Sequence, residues 1–191
     1  ACELWGGSSG VAPSPVSPVS PVTKGQCGGA LSLPGAPAGS LDVKAFGAAG
    51  DGRSDDTAAI QRALDALRPG QWLVFPLGVY VHSARLQVRQ ADVVIDGRGA
   101  TLHATNPYDQ AVLIQAHGVR VQGFVMTAVT DVRLDAAWQS RIAIWRHGTN
   151  MPPLERVAIV ANSIVESGGP GTPTANSSSS AAILVHNARD F

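Results

Sequence analysis

Three stretches of this chain repeat one pattern, and the repeat decides what the chain can become. They are VVIDGRGATL from Val93, VRVQGFVM from Val119 and VAIVANSIV from Val157, each reading apolar-x-apolar-x-small and then apolar again after a short bend. A second set, VLIQ from Val112, IAIW from Ile142 and ILVH from Ile183, runs in step with the first. Earlier β-type runs lie at 72–76, 79–81, 86–88, 93–95 and 101–103, most of them separated by Gly, Asp, Asn or Arg. The unit is strand, turn, strand, tight bend, short strand, then a variable loop. Successive copies begin 26 and 38 residues apart. A unit of this kind cannot bury its own apolar face, so it must stack on its neighbours. A doubly wound sheet would need helices between its strands, and the sequence shows no helical pattern after residue 67. An all-β parallel β-helix, a solenoid, is the architecture that remains.

Ahead of the repeats, LDVKAFGAAGDGRSDDTAAIQRALDAL (41–67) reads as strand, glycine-rich turn and capped helix. Gly47, Gly50 and Gly52 punctuate the turn around Asp51. Asp55, Asp56 and Thr57 offer acceptors for the first orphan N–H groups of the helix. Ala59, Ile60, Ala63, Leu64 and Leu67 make one apolar stripe, and Pro69-Gly70 stops it. Turn and cap duties account for Asp51, Asp55 and Asp56, whose spacing lacks the twelve-residue loop and distal Glu of an EF-hand.

The run FGAAGDGRSDDTAAIQRAL resembles the N-terminal signature of the pectate-lyase-like superfamily, and FPLGVYVHSARLQV resembles that superfamily's first coil. The resemblance covers residues 41–191. It implies a right-handed parallel β-helix whose open end is plugged by a short N-terminal capping α-helix. It includes rhamnogalacturonase, polygalacturonase and epimerase relatives, so it implies a polysaccharide ligand. It implies no cofactor, although calcium serves some members. The polygalacturonase hallmarks Asn-Thr-Asp, Asp-Asp, Gly-His-Gly and Arg-Ile-Lys are missing from the β-helical region, because Asp55-Asp56 falls in the cap.

The remaining segments bound the setting. Residues 1–40 read as a disordered Pro/Ser/Gly-rich linker, with GGSSG and the run VAPSPVSPVSPV favouring flexible and polyproline II chain. Residues 41–191 read as the N-terminal part of the β-helix domain, because Asp190-Phe191 aligns with Arg156-Val157 and opens a further coil. Ala1-Cys2 before a polar stretch resembles the lipidated start of a bacterial lipoprotein, so a membrane enters only through a lipid anchor at Cys2. A Cys2–Cys27 disulfide is the rival, and an exported protein permits it. An extracellular, cell-surface or periplasmic place suits either. The 14 basic and 14 acidic residues cancel, which gives no electrostatic case for nucleic acid or an anionic membrane. No run of 18 apolar residues is present.

Chemistry is expected along the second strand set. Two long insertions, 127–141 and 166–181, precede its strands in consecutive coils and would stand side by side as one groove wall, with 146–155 opposite. Strand alternation turns Ile142 and Ile144 inward and Trp145 outward, so Gln115, Trp145 and His186 should climb one outer column. An aromatic face stacks on a pyranose ring while an amide and an imidazole bind hydroxyls. The bland alternative packs Trp145 under the 127–141 loop and leaves His186 to solvent. Asp131, Asp135 and Glu166 are the candidate catalytic acids, since glycoside hydrolysis needs two carboxyls. Elimination needs instead a base and a cation for the uronate, which Arg133, Arg141 or Arg146 could supply. Arg146 and His147 complete the substrate-binding candidates. His82, His103 and His117 show no metal spacing, and DGRG at 96–99 lacks the following helix that a phosphate loop needs. Two readings follow: an exported enzyme that hydrolyses or eliminates a uronic-acid-containing polysaccharide, or a non-catalytic carbohydrate-binding, adhesive or phage-tailspike-like protein.

Overall fold

The computed structural model describes residues 33–106, 110–129, 140–145, 151–165 and 181–190. Strand β1 (Leu41–Asp42) leads into a 3-10 turn (Val43–Phe46) where the sequence suggested a strand. The reason is local: the Asp42 carboxylate accepts the Lys44 N–H, and left-handed Gly47 returns its own N–H to the carbonyls of Lys44 and Val43. Strand β2 (Asp51–Asp55) and helix α1 (Thr57–Ala66) follow. The first coil then holds β3 (Trp72–Val74), β4 (Val79–His82) and β5 (Leu86–Val88). The second holds β6 (Val94–Asp96), β7 (Thr101–Ala104) and β8 (Gln110–Ile114). The third holds β9 (Arg120–Gln122), β10 (Val125–Ala128) and β11 (Ser140–Trp145). The fourth holds β12 (Ala158–Val160), β13 (Ser163–Ile164) and β14 (Ala181–His186).

Each coil gives one strand to each of three sheets, ordered β1-β3-β6-β9-β12, β2-β4-β7-β10-β13 and β5-β8-β11-β14. All neighbours are parallel, with rungs such as Leu73↔Ile95, Leu102↔Met126 and Ile114↔Ile144 in register. This is the parallel β-helix that the repeat demanded. A left-handed residue recurs at Gly70, Asp92, Gly118 and Arg156, two positions before each strand of the first sheet, so the corner is set by backbone shape rather than by one residue type.

The core is a set of inward stacks. Leu73, Ile95 and Val121 form one; Tyr80, Leu102 and Met126 another; Val112 and Ile142, with Ile114 and Ile144, the third. Phe75 meets Tyr80 edge-on at 5.2 Å and Phe124 at 5.0 Å, although Phe75 and Phe124 lie two coils apart. Gly97 on the rung between makes this contact possible, since a Cβ there would stand 2.5 Å from the Phe124 ring.

Helix α1 takes the place of a third-sheet strand beneath β5. Its apolar stripe of Ala59, Ile60, Ala63 and Leu64 is buried, as the spacing predicted. The Gln61 amide closes the exposed strand edge: its Oε1 accepts the Gln87 N–H at 2.9 Å and its Nε2 donates to the Gln87 carbonyl at 3.0 Å. One side chain thus reproduces a strand's two-way backbone pairing at an edge that would otherwise be open.

The acids of the turn are all engaged. Asp51 accepts the N–H groups of Arg53 and Ser54, and Asp55 accepts from Thr57 and Ser83. Asp56 stands at the helix N-cap but makes no cap bond. Its buried carboxylate instead holds the N–H groups of Ala49 at 2.6 Å and Gly50 at 3.0 Å. Hydrogen bonds from Ser54 and Arg53 lower the Asp51 pKa to about 2, and those from Ser83 and Thr57 lower Asp55 to about 2. Both carboxylates favour the fold fully above the ordinary carboxylate range near about 4, and that support is lost as pH falls toward about 2. Thermal melts between these pH values should show a steeper acid loss in the native chain than in Asp55→Asn. Parallel curves would count against this reading.

Candidate functional site

The outer face of the third sheet is built by alternation. Val112, Ile114, Ile142 and Ile144 face the core, so Ala111, Leu113, Gln115, Arg141, Ala143 and Trp145 face away from it. Trp145 pairs in register with His186, and Gln115 follows the Ile114↔Ile144 rung. The three residues therefore climb one column, and the Trp145 and His186 rings lie 5.5 Å apart with their planes tilted by 59°. Gln115 and Trp145 are half-buried and His186 is exposed.

The rest of the face is closed. Leu113, Arg141 and Ala143 are buried, so the open part is the column at the C-terminal ends of the strands. On the lowest rung Arg89 is exposed, bonded to Gln87 at 2.7 Å and 3.5 Å from Asp65. Among the described residues, the outward positions of β8, β11 and β14 carry no carboxylate.

At the other end of these strands lie buried polar groups that spacing did not reveal. Arg141 is 4% exposed, and its Nε and Nη1 have no partner among the described residues. Ser140 Oγ and His82 Nε2 are likewise buried without a partner. The His82 Nδ1 lies 3.0 Å from the Ala84 carbonyl, which makes Nδ1 the protonated nitrogen and leaves Nε2 as an acceptor. Burial lowers the His82 pKa first, and the Arg141 charge and His103 lower it further. His82 thus stays neutral, and a deficit in stability opens as pH falls below its ordinary value near about 6.5. Burial also lowers the Arg141 pKa. His82 and Arg141 are 59 residues apart, and only the coil geometry brings them near each other. On the neighbouring sheet His103 Nδ1 meets Thr127 Oγ1 at 2.8 Å.

Asp131, Asp135, Glu166, Arg146 and His147 lie outside the described residues. Among the described residues no three His, Cys, Asp or Glu side chains gather as a metal site, and no helix is long and apolar enough to cross a membrane.

With this geometry in hand, comparison with known proteins identifies a family. No curated protein matches the chain. Among solved structures, ORF18 of Geobacillus virus E2 aligns with a TM-score of 0.46 at 17% identity, over 65% of this chain and 25% of that one. The chain thus spans a quarter of that protein's length. The family described as rhamnogalacturonase A/epimerase, pectate lyase-like, matches residues 40–173, more than half of the sequence. Its match begins one residue before β1 and extends past β13, and the chain belongs to this rhamnogalacturonase A/epimerase, pectate lyase-like family.

Proposed function

We propose that this protein acts at the cell exterior on an acidic, uronic-acid-containing polysaccharide held along the outer face of the third sheet. The observation that carries this reading is the column of Gln115, Trp145 and His186, with the buried Arg141 guanidinium on the same strand as Trp145. An indole beside an imidazole gives a sugar ring a stacking surface and a polar edge. Arg141 keeps two unused donors at the closed end of this face, and a uronate carboxylate entering there is the group best matched to them. Arg89 adds a second cation on the lowest rung.

Cleavage on this reading uses Asp131, Asp135 and Glu166, carried on the segments that precede β11 and β14. For hydrolysis, one acid protonates the glycosidic oxygen and another activates water or attacks the sugar. For elimination, one of them removes the C5 proton next to the uronate, the C4–O glycosidic bond breaks as the C4–C5 double bond forms, the departing oxygen takes up a proton, and Arg141 balances the uronate charge. Arg146 and His147 bind the chain from the opposite wall. A second reading, a non-catalytic carbohydrate-binding protein, is favoured by the absence of carboxylates at the outward positions described above.

The full chain should be retained on immobilised polygalacturonate more strongly than on dextran. Arg141→Gln is expected to erase that preference, and Trp145→Ala to weaken retention about tenfold, equivalent to about 1.4 kcal/mol. New reducing ends would establish hydrolysis, and ultraviolet absorbance from an unsaturated uronate would establish elimination. Retention without product leaves the binding reading, and equal retention on both matrices overturns the acidic-ligand proposal.

A further inference from the structure

The first sheet carries a separate anomaly on its outer face. Val74, Asp96, Gln122 and Val160 share one outward column in register. Positions of this parity should be open to solvent, yet Asp96 is 1% exposed and Gln122 is fully buried. Part of the cover is the segment that precedes β1. Leu33 Cδ1 lies 2.9 Å, and Asp96 Oδ1 3.7 Å, from the point where a Cβ on Gly123 would stand. Leu33, Pro34, Gly35, Asp96 and Arg98 line a cavity of about 280 Å³.

Two arginines use up half of the polar capacity here. Arg98 Nε donates to Asp96 Oδ2 at 3.0 Å, and Arg120 Nε donates to Gln122 Oε1 at 2.6 Å. Asp96 Oδ1 and Gln122 Nε2 remain buried without partners. One is an acceptor, the other a donor, and they sit on adjacent rungs without bonding each other. Leaving a carboxylate oxygen unsatisfied is costly, and Asp96, unlike Gln122, lines the cavity, so a bound group should meet Asp96 Oδ1.

The chemistry narrows that group. An anion would be repelled by Asp96. A metal ion would find a single unused carboxylate oxygen beside a guanidinium and an amide N–H, which is a poor oxygen cage. A hydroxyl donates, and so suits Asp96 Oδ1, the orphan atom whose residue lines the cavity, while Gln122 stands behind that wall. Leu33 and Pro34 add an apolar wall for a C–H face. The cavity lies at the lower edge of small-ligand size, enough for one ring. We propose that this cavity is a binding site for one neutral sugar residue, separate from the third-sheet face and independent of the function proposed for it.

The test is saturation-transfer NMR on the full chain with the methyl glycosides of glucose, galactose and mannose. At least one should receive saturation with millimolar affinity. Asp96→Asn should weaken it tenfold or more. Gly35→Leu offers a variant that spares the fold, because a Cβ at Gly35 meets nothing within 4 Å. It should fill the cavity and abolish transfer while leaving the melting temperature unchanged. Trp145→Ala should leave transfer intact, which separates this site from the acidic-polysaccharide face. The proposal is overturned if no glycoside receives saturation, in which case the orphan atoms hold water only. It is equally overturned if Gly35→Leu binds like the native chain, or if Trp145→Ala alone removes binding.

Discussion

Phe124→Ala should lower the unfolding free energy by about 4 kcal/mol, read from denaturant titration. The ring is 1% exposed and stacks edge-on against Phe75, which stacks in turn on Tyr80. Truncation removes the transfer energy of a large side chain and leaves a void. Collapse into it is resisted, because Phe75 and Phe124 are anchored in different coils and Gly97 between them has no side chain to move in. A domain of this size is stable by about 5–15 kcal/mol, so one ring carries a large share of the margin. Phe124→Leu keeps most of the volume and should lose less than half as much. A loss below about 1 kcal/mol for Phe124→Ala would show that the coils slide to close the gap, against the rigid stacking described above.

Asp56→Ala should cost about 3 kcal/mol, the second largest single effect expected. Its carboxylate accepts two backbone N–H groups, from Ala49 and Gly50, in a site 2% exposed. Removing it strands both donors away from water. Gly50 packs against the Tyr80 ring, where a Cβ would come within 2.8 Å, so the loosened turn would also disturb the aromatic cluster. Burial and the charges of Asp42 and Asp56 push the Tyr80 hydroxyl up to about 12. Asp56→Asn retains one acceptor and should fall between the two forms. Equal stability of Asp56→Ala and the native chain would mean that solvent already serves those N–H groups.

Much of the fold was legible because a solenoid writes its geometry into its period. The runs beginning at Val93, Val119 and Val157 lead into β6, β9 and β12, and those at Val112, Ile142 and Ile183 start within β8, β11 and β14. The stripe from Ala59 to Leu64 gave α1, and alternation placed Trp145 above Gln115 and beside His186. What escaped depends on contacts that no local pattern encodes. Asp56 looked like a helix cap, yet its carboxylate turns back to a loop six and seven residues earlier. The segment Val43–Phe46 has strand-like composition, but Asp42 and Gly47 close it into a 3-10 turn. Arg141 was one of three interchangeable arginines in the sequence. Its burial, and the reach of its charge to His82, come from the stacking of coils. DGRG at 96–99 read as a turn without a phosphate site, and nothing in its spacing announced that Leu33 would line a cavity with Asp96.

Gln61 addresses the peptide group of Gln87 and none of its side chain. Its grip is therefore indifferent to sequence: any strand with a free N–H and carbonyl at that height could rest on α1. This bond fixes where the solenoid begins without dictating which side chain stands at position 87. The residue at position 87 can therefore change without loosening this bond, whereas Leu86 and Val88 on either side stay tied to the apolar stripe of α1 through the shared core.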